Sequence, residues 1–384
     1  MKSEWTKMKL SDIADFNPRE TIKKGEIAKK ISMDVLRPFY RDVPYYTEEC
    51  FSGGTKFRNG DTIMARITPC LENGKTAQVS ILNDGEIGFG STEYIVFRAK
   101  EGIADKDYLY YLVCSPEVRE PAIKSMVGSS GRQRVQTDVV KNLEIDVPPL
   151  VEQRKIGSFL KSIDDEIALN DKINENLEQQ AQAIYAQMFI DNADESWKVG
   201  VLSDIAVITM GQSPKGDTFN ETGDGAVFYQ GRTDFGFRFP TRRLYTTEPK
   251  RIALCGDTLM SVRAPVGDLN VAYEDCCIGR GLSAIHSKDN HQSYVLYTLF
   301  TLKKQLDVFN GEGTVFGSIN KEALNSMEIT IPPIELMDRF ESITNPIDKA
   351  IRNNYEEICQ LQAIRDSLLP KLMSGEIDVS AVKI

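Results

Sequence analysis

The chain has 384 residues, 41% of them apolar, and a formal net charge of −10. A chain of this length and apolar content can form two or three domains, each with its own core. No stretch approaches the roughly 18–20 continuous apolar residues of a membrane span. The charged first residues argue against a secretory signal, and seven cysteines without a CxxC pair argue against a disulfide framework. The two histidines, His286 and His291, are too few for a zinc site. We therefore expect a cytoplasmic protein with free thiols, no bound metal and no membrane contact.

Residues 1–147 are predicted to form a first globular domain. Strand-like segments such as DTIMARI (61–67) and EYIVFRA (93–99) alternate with the helical pattern KDYLYYLVCS (106–115). Strands interleaved with short helices are typical of the α+β class. Three polar loops of this part combine glycine with hydroxyl, amide and basic side chains. Their candidate functional residues are Arg66, Thr68, Lys75, Ser91, Thr92, Ser130, Arg132, Gln133 and Arg134.

A long helix is predicted for residues 148–192. It follows the pair Pro148–Pro149, which ends the strand-like segment LEIDV because proline cannot donate to a sheet ladder. From Ile156 onward, apolar residues recur at alternating steps of four and three over about five heptads, which is the spacing of a coiled-coil seam. A helix of about 40 residues is about 60 Å long, more than a small domain is wide. Asn170 occupies a seam position, where an amide penalises wrong registers.

The second half of the chain repeats the first. When the halves are aligned, Pro148 and Asn170 coincide with Pro332 and Asn354. Residues 332–384 therefore repeat the helical region, and Asn354 is expected to fix the register of the second helix. Residues 193–331 repeat the globular part more loosely, since CGDTLMSVRAP resembles NGDTIMARITP and WKVGVLSDIA resembles WTKMKLSDIA. The predicted order is globular, helical, globular, helical.

The second globular part carries similar loops with different side chains. Their candidate residues are Gln212, Ser213, Lys215, Tyr229, Gln230, Arg232, Arg242, Arg263 and Arg280. Glycine lets a backbone N–H approach a phosphate, arginine and lysine neutralise phosphate or pair with guanine, and glutamine pairs with adenine. Ordinary turn chemistry would explain any single loop. Arg66 and Arg263 each follow a strand and could instead be structural ion-pair partners.

Motifs of catalysis and nucleotide binding are not evident in the sequence. ENGKT (72–76) resembles the end of a phosphate loop, but Pro69 stands where that motif requires glycine. No GxSxG elbow or GxGxxG fingerprint is found. Asp234 and Glu248 leave a metal-dependent nuclease as one alternative, and a coiled-coil adaptor that binds only protein is another. The Gly/Arg loops distinguish a nucleic-acid reader from the adaptor.

These features together resemble the specificity subunit of Type I restriction-modification systems. The resemblance spans the whole chain and rests on PPLVEQRKIGSFLKSIDDEI, GFGSTEYIVFR, GSSGRQRV, CCIGRGLSAI and LLPKLMSGEIDV. The second Pro-Pro pair departs from the first, because IELMDRF follows it where the first is followed by LVEQRKI. The resemblance implies an α+β fold: two mixed α/β target-recognition domains, at 1–147 and 193–331, are separated by two long helices packed as an antiparallel coiled coil with a pseudo-two-fold repeat.

The resemblance also implies a function. Each recognition domain would read one half of a split sequence in double-stranded DNA, and the helices would hold the domains apart. Two modification subunits would bind this chain and methylate adenine N6 with S-adenosylmethionine, and restriction motor-nuclease subunits would join them with ATP. This chain is expected to be non-catalytic and to bind neither cofactor itself, despite its acidic net charge, because basic loops can be local.

Overall fold

The computed structural model describes residues 5–129, 131–311 and 317–379. The chain divides into two compact units. Unit 1 contains residues 1–172 and 354–384, and unit 2 contains residues 173–353. Each boundary lies inside one of the two long helices, so each unit holds one globular part and a portion of both helices. No described helix combines the length and the apolar character that a membrane crossing needs.

Unit 1 is built on two four-stranded sheets and a two-stranded one. In chain order its elements, ending with the first long helix, are β1 (Thr6–Lys9), α1 (Leu10–Ile13), β2 (Ala14–Phe16), β3 (Ile27–Ile31), β4 (Thr47–Cys50), β5 (Thr55–Phe57), β6 (Thr62–Ala65), β7 (Thr76–Gln78), β8 (Gly88–Gly90), β9 (Tyr94–Ala99), α2 (Lys106–Cys114), α3 (Pro116–Lys124), α4 (Thr137–Lys141), β10 (Glu144–Val147) and α5 (Leu150–Ala186). The sheet orders are β2-β9-β6-β7, β4-β3-β8-β5 and β1-β10. Strands β3 and β8 are parallel.

Unit 2 repeats this arrangement with one additional edge strand in its second sheet. In chain order its elements, ending with the second long helix, are β11 (Lys198–Val201), α6 (Leu202–Ile205), β12 (Ala206–Met210), β13 (Phe219–Asn220), β14 (Ala226–Tyr229), β15 (Leu244–Thr246), β16 (Ile252–Ala253), β17 (Thr258–Ser261), β18 (Leu269–Val271), β19 (Cys276–Ile278), β20 (Leu282–Ser287), α7 (Gln292–Thr301), α8 (Lys303–Asp307), α9 (Lys321–Asn325), β21 (Glu328–Ile331) and α10 (Ile334–Met373). The sheet orders are β12-β20-β17-β18, β13-β15-β14-β19-β16 and β11-β21. The parallel pair is now β14 with β19.

The Pro-Pro pairs lie in the turns between a strand and a long helix. Strand β10 ends at Val147 and α5 begins at Leu150, while β21 ends at Ile331 and α10 begins at Ile334. The carbonyl of Pro149 accepts hydrogen bonds from the N–H groups of Glu152 and Gln153, at 2.9 and 3.0 Å. The prolines thus terminate the strand without leaving the first turn of the helix unbonded. Helix α5 continues into a π-helical turn over Gln187–Asp191.

The long helices contact each other inside unit 1. Ile163 and Ile167 form a small buried cluster with Ile358, and Asp164 accepts a hydrogen bond from Arg365 at 2.7 Å. Ile163, Ile167, Ile358 and Arg365 occupy positions of the predicted heptad spacing, and Asp164 follows one of them. Asn170 is also buried, and its Nδ2 has no hydrogen-bond partner among the described residues. The role of Asn170 and Asn354 in fixing helix register therefore stays a prediction.

Aromatic packing joins the long helices in unit 2. The rings of Tyr185 and Phe189 on and after α5 lie 5.6 and 5.3 Å from the ring of Phe340 on α10. Tyr294 on α7 completes the cluster, with its ring 5.0 Å from Phe189. Such aromatic pairs add to the stabilisation from apolar burial. The globular part of unit 2 is therefore packed directly on its portions of both helices.

Candidate nucleic-acid interface

Three loops of unit 1 meet beyond the end of strand β6. We call residues 66–68, 91–93 and 132–135 the first loop cluster. The N–H of Arg66 donates to the carbonyl of Glu93 at 2.9 Å, and the N–H of Val135 donates to the carbonyl of Arg66 at 2.9 Å. The N–H of Thr68 donates to the carbonyl of Gln133 at 3.0 Å. Backbone bonding thus brings together three segments that are distant in the sequence.

Equivalent loops of unit 2 meet beyond the end of strand β17. We call residues 211–213, 230–231, 262–264, 279–281 and 317–319 the second loop cluster. The N–H of Val262 donates to the carbonyl of Gly281, and the N–H of Ala264 donates to that of Gly317, both at 2.9 Å. The N–H of Arg280 donates to Ser213 Oγ at 3.2 Å. The glycines permit this crowding, since a Cβ on Gly211 would lie 2.1 Å from the carbonyl oxygen of Gly279.

The two clusters have the same construction. An isolated bridge joins Ile67 to Arg134 in unit 1, and another joins Arg263 to Ser318 in unit 2. In both units the strand before the cluster lies second from the edge of a four-stranded sheet of the same order. The repeated loops of the sequence therefore form equivalent surfaces on two similar scaffolds, but with different side chains.

An ionic network organises the first loop cluster. Glu93 accepts hydrogen bonds from Nε and Nη2 of Arg134 at 2.9 and 2.7 Å and from Nε of Arg66 at 3.2 Å. The hydrogen bonds from Arg134 hold the pKa of the Glu93 carboxyl below its ordinary value. Glu93 is therefore ionised at neutral pH. Arg66 has the ion-pair partner that its position after a strand suggested, but it remains part of the cluster.

Several predicted residues present unbonded side chains to solvent. Those with an exposed side chain that makes no hydrogen bond or ion pair with the described residues are Thr92, Arg132, Gln212, Lys215, Gln230, Arg263 and Arg280. All of them except Lys215 belong to the two loop clusters. Their donors are free to contact a ligand. Arg263, unlike Arg66, has no carboxylate partner within the described part of the chain.

Other predicted residues are bonded within the protein. Lys75 Nζ donates to the carbonyl of Met33 at 2.8 Å, Ser91 Oγ accepts from the N–H of Glu93, and Thr68 Oγ1 contacts Met126 Sδ. Lys215 is exposed, and its carbonyl accepts the N–H of Thr218.

Two arginines predicted in unit 2 are paired with acids outside the second loop cluster. Arg232 pairs with Asp268, and Arg242 pairs with Glu274 and lies over the ring of Tyr273. These ion pairs reduce the positive charge that either guanidinium presents to a ligand. Arg263 and Arg280 are therefore the arginines of the second loop cluster whose charge no ion pair with the described residues neutralises.

The prediction that Tyr229 contacts DNA is wrong. Its side chain is 1% exposed, and its hydroxyl donates to the carbonyl of Pro240 at 3.4 Å. The residue ends strand β14, whose last three positions are buried, so alternation along a half-exposed strand does not apply. Tyr229 therefore belongs to the core. The predicted residue Ser130 lies outside the described residues.

Sequence reasoning missed Glu93 and Ser318. An acidic side chain is not expected to contact DNA, so Glu93 was not predicted, although it directly follows Ser91 and Thr92. Ser318 occupies the place in unit 2 that Arg134 occupies in unit 1. The alignment of the two Pro-Pro pairs already puts Ser318 opposite Arg134, and this was the available indication.

Comparison with known proteins identifies the family. Residues 2–179 and 194–358 match the Type I restriction modification DNA specificity domain, so the chain belongs to this family and is a specificity subunit of a Type I restriction-modification system. A putative type I restriction enzyme MjaX specificity subunit from Methanocaldococcus jannaschii is 31% identical, over 83% of this chain and 79% of the relative. The type I restriction enzyme MjaIX specificity subunit of the same organism is 25% identical, over 73% and 71%.

A solved structure shows the same fold. The S subunit of a Type I restriction-modification system from M. genitalium is 16% identical, with a TM-score of 0.54 and coverage of 96% of both chains. At this identity the likeness concerns the fold alone. It agrees with the α+β class and with the doubled architecture of sheets and helices described above.

Proposed function

We propose that each loop cluster reads one half of a bipartite, asymmetric DNA sequence. The observation that carries this proposal is the recurrence of one scaffold with two different sets of exposed side chains. Arg132 in unit 1, and Gln230, Arg263 and Arg280 in unit 2, are the side chains that direct readout employs at base edges. Two scaffolds with unlike loops would recognise unlike half-sites, so the complete target would lack symmetry.

Charge supports a local rather than a global attraction to DNA. The chain is acidic overall, with a net charge of −10. Arg132, Arg263 and Arg280 are exposed without carboxylate partners among the described residues. Arginines that neutralise phosphates supply affinity, and those that reach base edges supply specificity. The acidic remainder of the surface would disfavour non-specific wrapping of DNA around the subunit.

The long helices are proposed to set the distance between the half-sites. Readers that contact one face of B-DNA are about 34–36 Å apart for each helical turn of separation. A helix rises about 1.5 Å per residue, so α5 and α10, with 37 and 40 residues, are long enough to span such a distance. We propose that they pack as an antiparallel coiled coil and act as the spacer.

Partner subunits are proposed to supply the chemistry. Two modification subunits would dock on the helices and methylate adenine N6 with S-adenosylmethionine, and motor-nuclease subunits with ATP would cleave unmodified DNA. The specificity subunit would contribute sequence recognition and no catalytic residue. Asp234, a residue of the nuclease alternative, is buried and accepts a hydrogen bond from Arg243 at 2.9 Å, so its carboxylate already has a structural partner.

Selection from a pool of randomised duplexes tests the assignment of the half-sites. The complex with its modification subunits is compared with the same complex carrying Arg132→Ala or Arg280→Ala. Each variant should weaken binding, by about 1–3 kcal/mol where the arginine contacts a base, and should relax only the half-site read by its own unit. Lys198→Ala removes one exposed positive charge from β11, outside the clusters, and is the matched control. Unchanged preferences in both arginine variants, or loss of both half-sites in each, would contradict the proposal.

A further inference from the structure

Glu93 holds Arg134 in one defined orientation. Its carboxylate accepts from Nε at 2.9 and 3.0 Å and from Nη2 at 2.7 Å, so the guanidinium plane is fixed along one side. Glu93 is itself held, because its N–H donates to Ser91 Oγ at 3.0 Å and its carbonyl accepts from the N–H of Arg66. The second oxygen of the carboxylate also accepts from Arg66 Nε at 3.2 Å.

The other side of the guanidinium remains available. Nη1 of Arg134 makes no hydrogen bond with the described residues, and the side chain is 44% exposed. Nη1, together with the second hydrogen of Nη2, forms a two-donor fork that matches O6 and N7 of guanine. Fixing a guanidinium before binding reduces the side-chain entropy that contact with the base would otherwise cost.

We propose that Glu93 is a specificity-determining positioning residue that presents Arg134 to one guanine in the half-site read by unit 1. This inference rests on the proposed function, because it assumes that the first loop cluster contacts DNA bases. The depressed pKa of the Glu93 carboxyl keeps it ionised, and therefore an acceptor, throughout the neutral range. A carboxylate at this place also repels phosphate, so Arg134 is directed to a base edge rather than to the backbone.

Unit 2 lacks this device. Gly281 occupies the place of Glu93, because its carbonyl accepts from the N–H of Val262 as that of Glu93 accepts from Arg66. Ser318 occupies the place of Arg134, because it forms a β-bridge with Arg263 as Arg134 does with Ile67. An arginine oriented by a neighbouring glutamate in this way is therefore found in the loop cluster of unit 1 and not in that of unit 2. The guanine that it reads should appear in the half-site of unit 1 and have no equivalent contact in the other half.

The test is Glu93→Gln in the complete complex with modification subunits, with binding measured to duplexes that differ at each position of the site. Loss of the Glu93–Arg134 ion pair should reduce the preference for one G·C pair over other base pairs by roughly 5- to 150-fold, the range that one bidentate contact provides. Glu93→Asp retains a carboxylate and should restore part of this discrimination. Arg134→Lys keeps the charge but lacks the fork and should lose the same base preference.

The controls separate this inference from the proposed function. Glu49→Gln is the control, because Glu49 on strand β4 forms an ion pair with Lys30 at 2.9 Å outside the loop clusters. This variant should leave all base preferences intact. Preferences at the other positions of the half-site of unit 1 report correct folding of that unit in each variant. If Arg134→Lys alters discrimination at one G·C pair and Glu93→Gln does not, the positioning role of Glu93 is refuted and the proposed function stands. If Glu93→Gln, Arg134→Lys and Arg132→Ala all leave the half-site unchanged, the first loop cluster is not a reader and the proposed function fails.

Discussion

At the scale of single residues, ionic partners decide which arginines remain available for recognition. Arg66, Arg134 and Glu93 are too far apart in sequence for their pairing to be visible there, and only the hydrogen bonds of the folded strands bring them together. Composition alone indicated loops that carry exposed arginines without ion-pair partners among the described residues, such as Arg280. It could not reveal that Tyr229 is buried, because burial on both faces of a strand depends on which layers cover it.

The surroundings of partly buried acids are a second property of residues that sequence could not reveal. Glu341 on α10 accepts a hydrogen bond from the N–H of Tyr294 at 2.9 Å. Burial raises the pKa of Glu341 above its ordinary value of 4.5, although the bond from Tyr294 opposes the shift. The folded chain therefore binds this proton more tightly than the unfolded chain does. The free energy of unfolding should fall as pH rises from about the ordinary pKa through the raised one.

We predict a pH-dependent gain in stability for Glu341→Gln. The amide keeps an oxygen acceptor for Tyr294 but cannot ionise. Relative to the natural chain, the free energy of unfolding of the variant should increase as pH rises above 4.5 and should converge with it below that value. Urea unfolding at a series of pH values measures the difference, and the nearby groups His291 and Asp348 are common to both chains. A difference that does not vary with pH would contradict the assignment.

At the scale of elements, the long helices were the most predictable part of the fold. The heptad spacing predicted two helices after the Pro-Pro pairs, and they extend over Leu150–Ala186 and Ile334–Met373. The strand orders, in which β3–β8 and β14–β19 pair in parallel, were not predictable because short strands carry no information about their partners. The seam also departs from the simple pattern near the end of α5, where Tyr185 and Phe189 are more buried than Ile184 and Met188.

A buried ion pair connects the helices in unit 1. Asp164 accepts from Arg365 Nη1 at 2.7 Å and from the hydroxyl of Tyr111 at 2.6 Å, and the side chains of the acid and the arginine are only 4% and 7% exposed. Removing Arg365 leaves the buried Asp164 carboxylate without an ionic partner among the described residues, although the Tyr111 hydroxyl still donates to it. The cost of that loss should exceed the net stabilisation that the intact pair contributes.

We predict that Arg365→Ala destabilises unit 1 by about 3–5 kcal/mol. Urea unfolding measures the change, and the double variant Asp164→Ala with Arg365→Ala should be less destabilised than the sum of the single variants. Arg154→Ala on the exposed face of α5 is the control and should change the free energy of unfolding by less than about 0.5 kcal/mol. Equal effects of Arg365→Ala and Arg154→Ala would show that the pair is not important for stability.

At the scale of the whole molecule, internal repetition is the organising feature. The sequence showed it through the paired prolines. The structure shows it again in the equivalent bridges of the two loop clusters and in the sheet orders, which match apart from the additional edge strand β13 in unit 2. The target sequence itself could not be predicted, because base readout depends on how each loop presents its side chains. Repetition of the scaffold with divergence of the loops is what an asymmetric two-part target requires.

Methylome sequencing of cells that express this chain with its modification subunit tests the central claim most directly. The account predicts N6-methyladenine in a motif of two unlike half-sites, separated by a constant number of unread base pairs. It further predicts a guanine in the half-site that changes when the loops of unit 1 are altered. A continuous motif, or a palindrome with identical halves, would contradict the account.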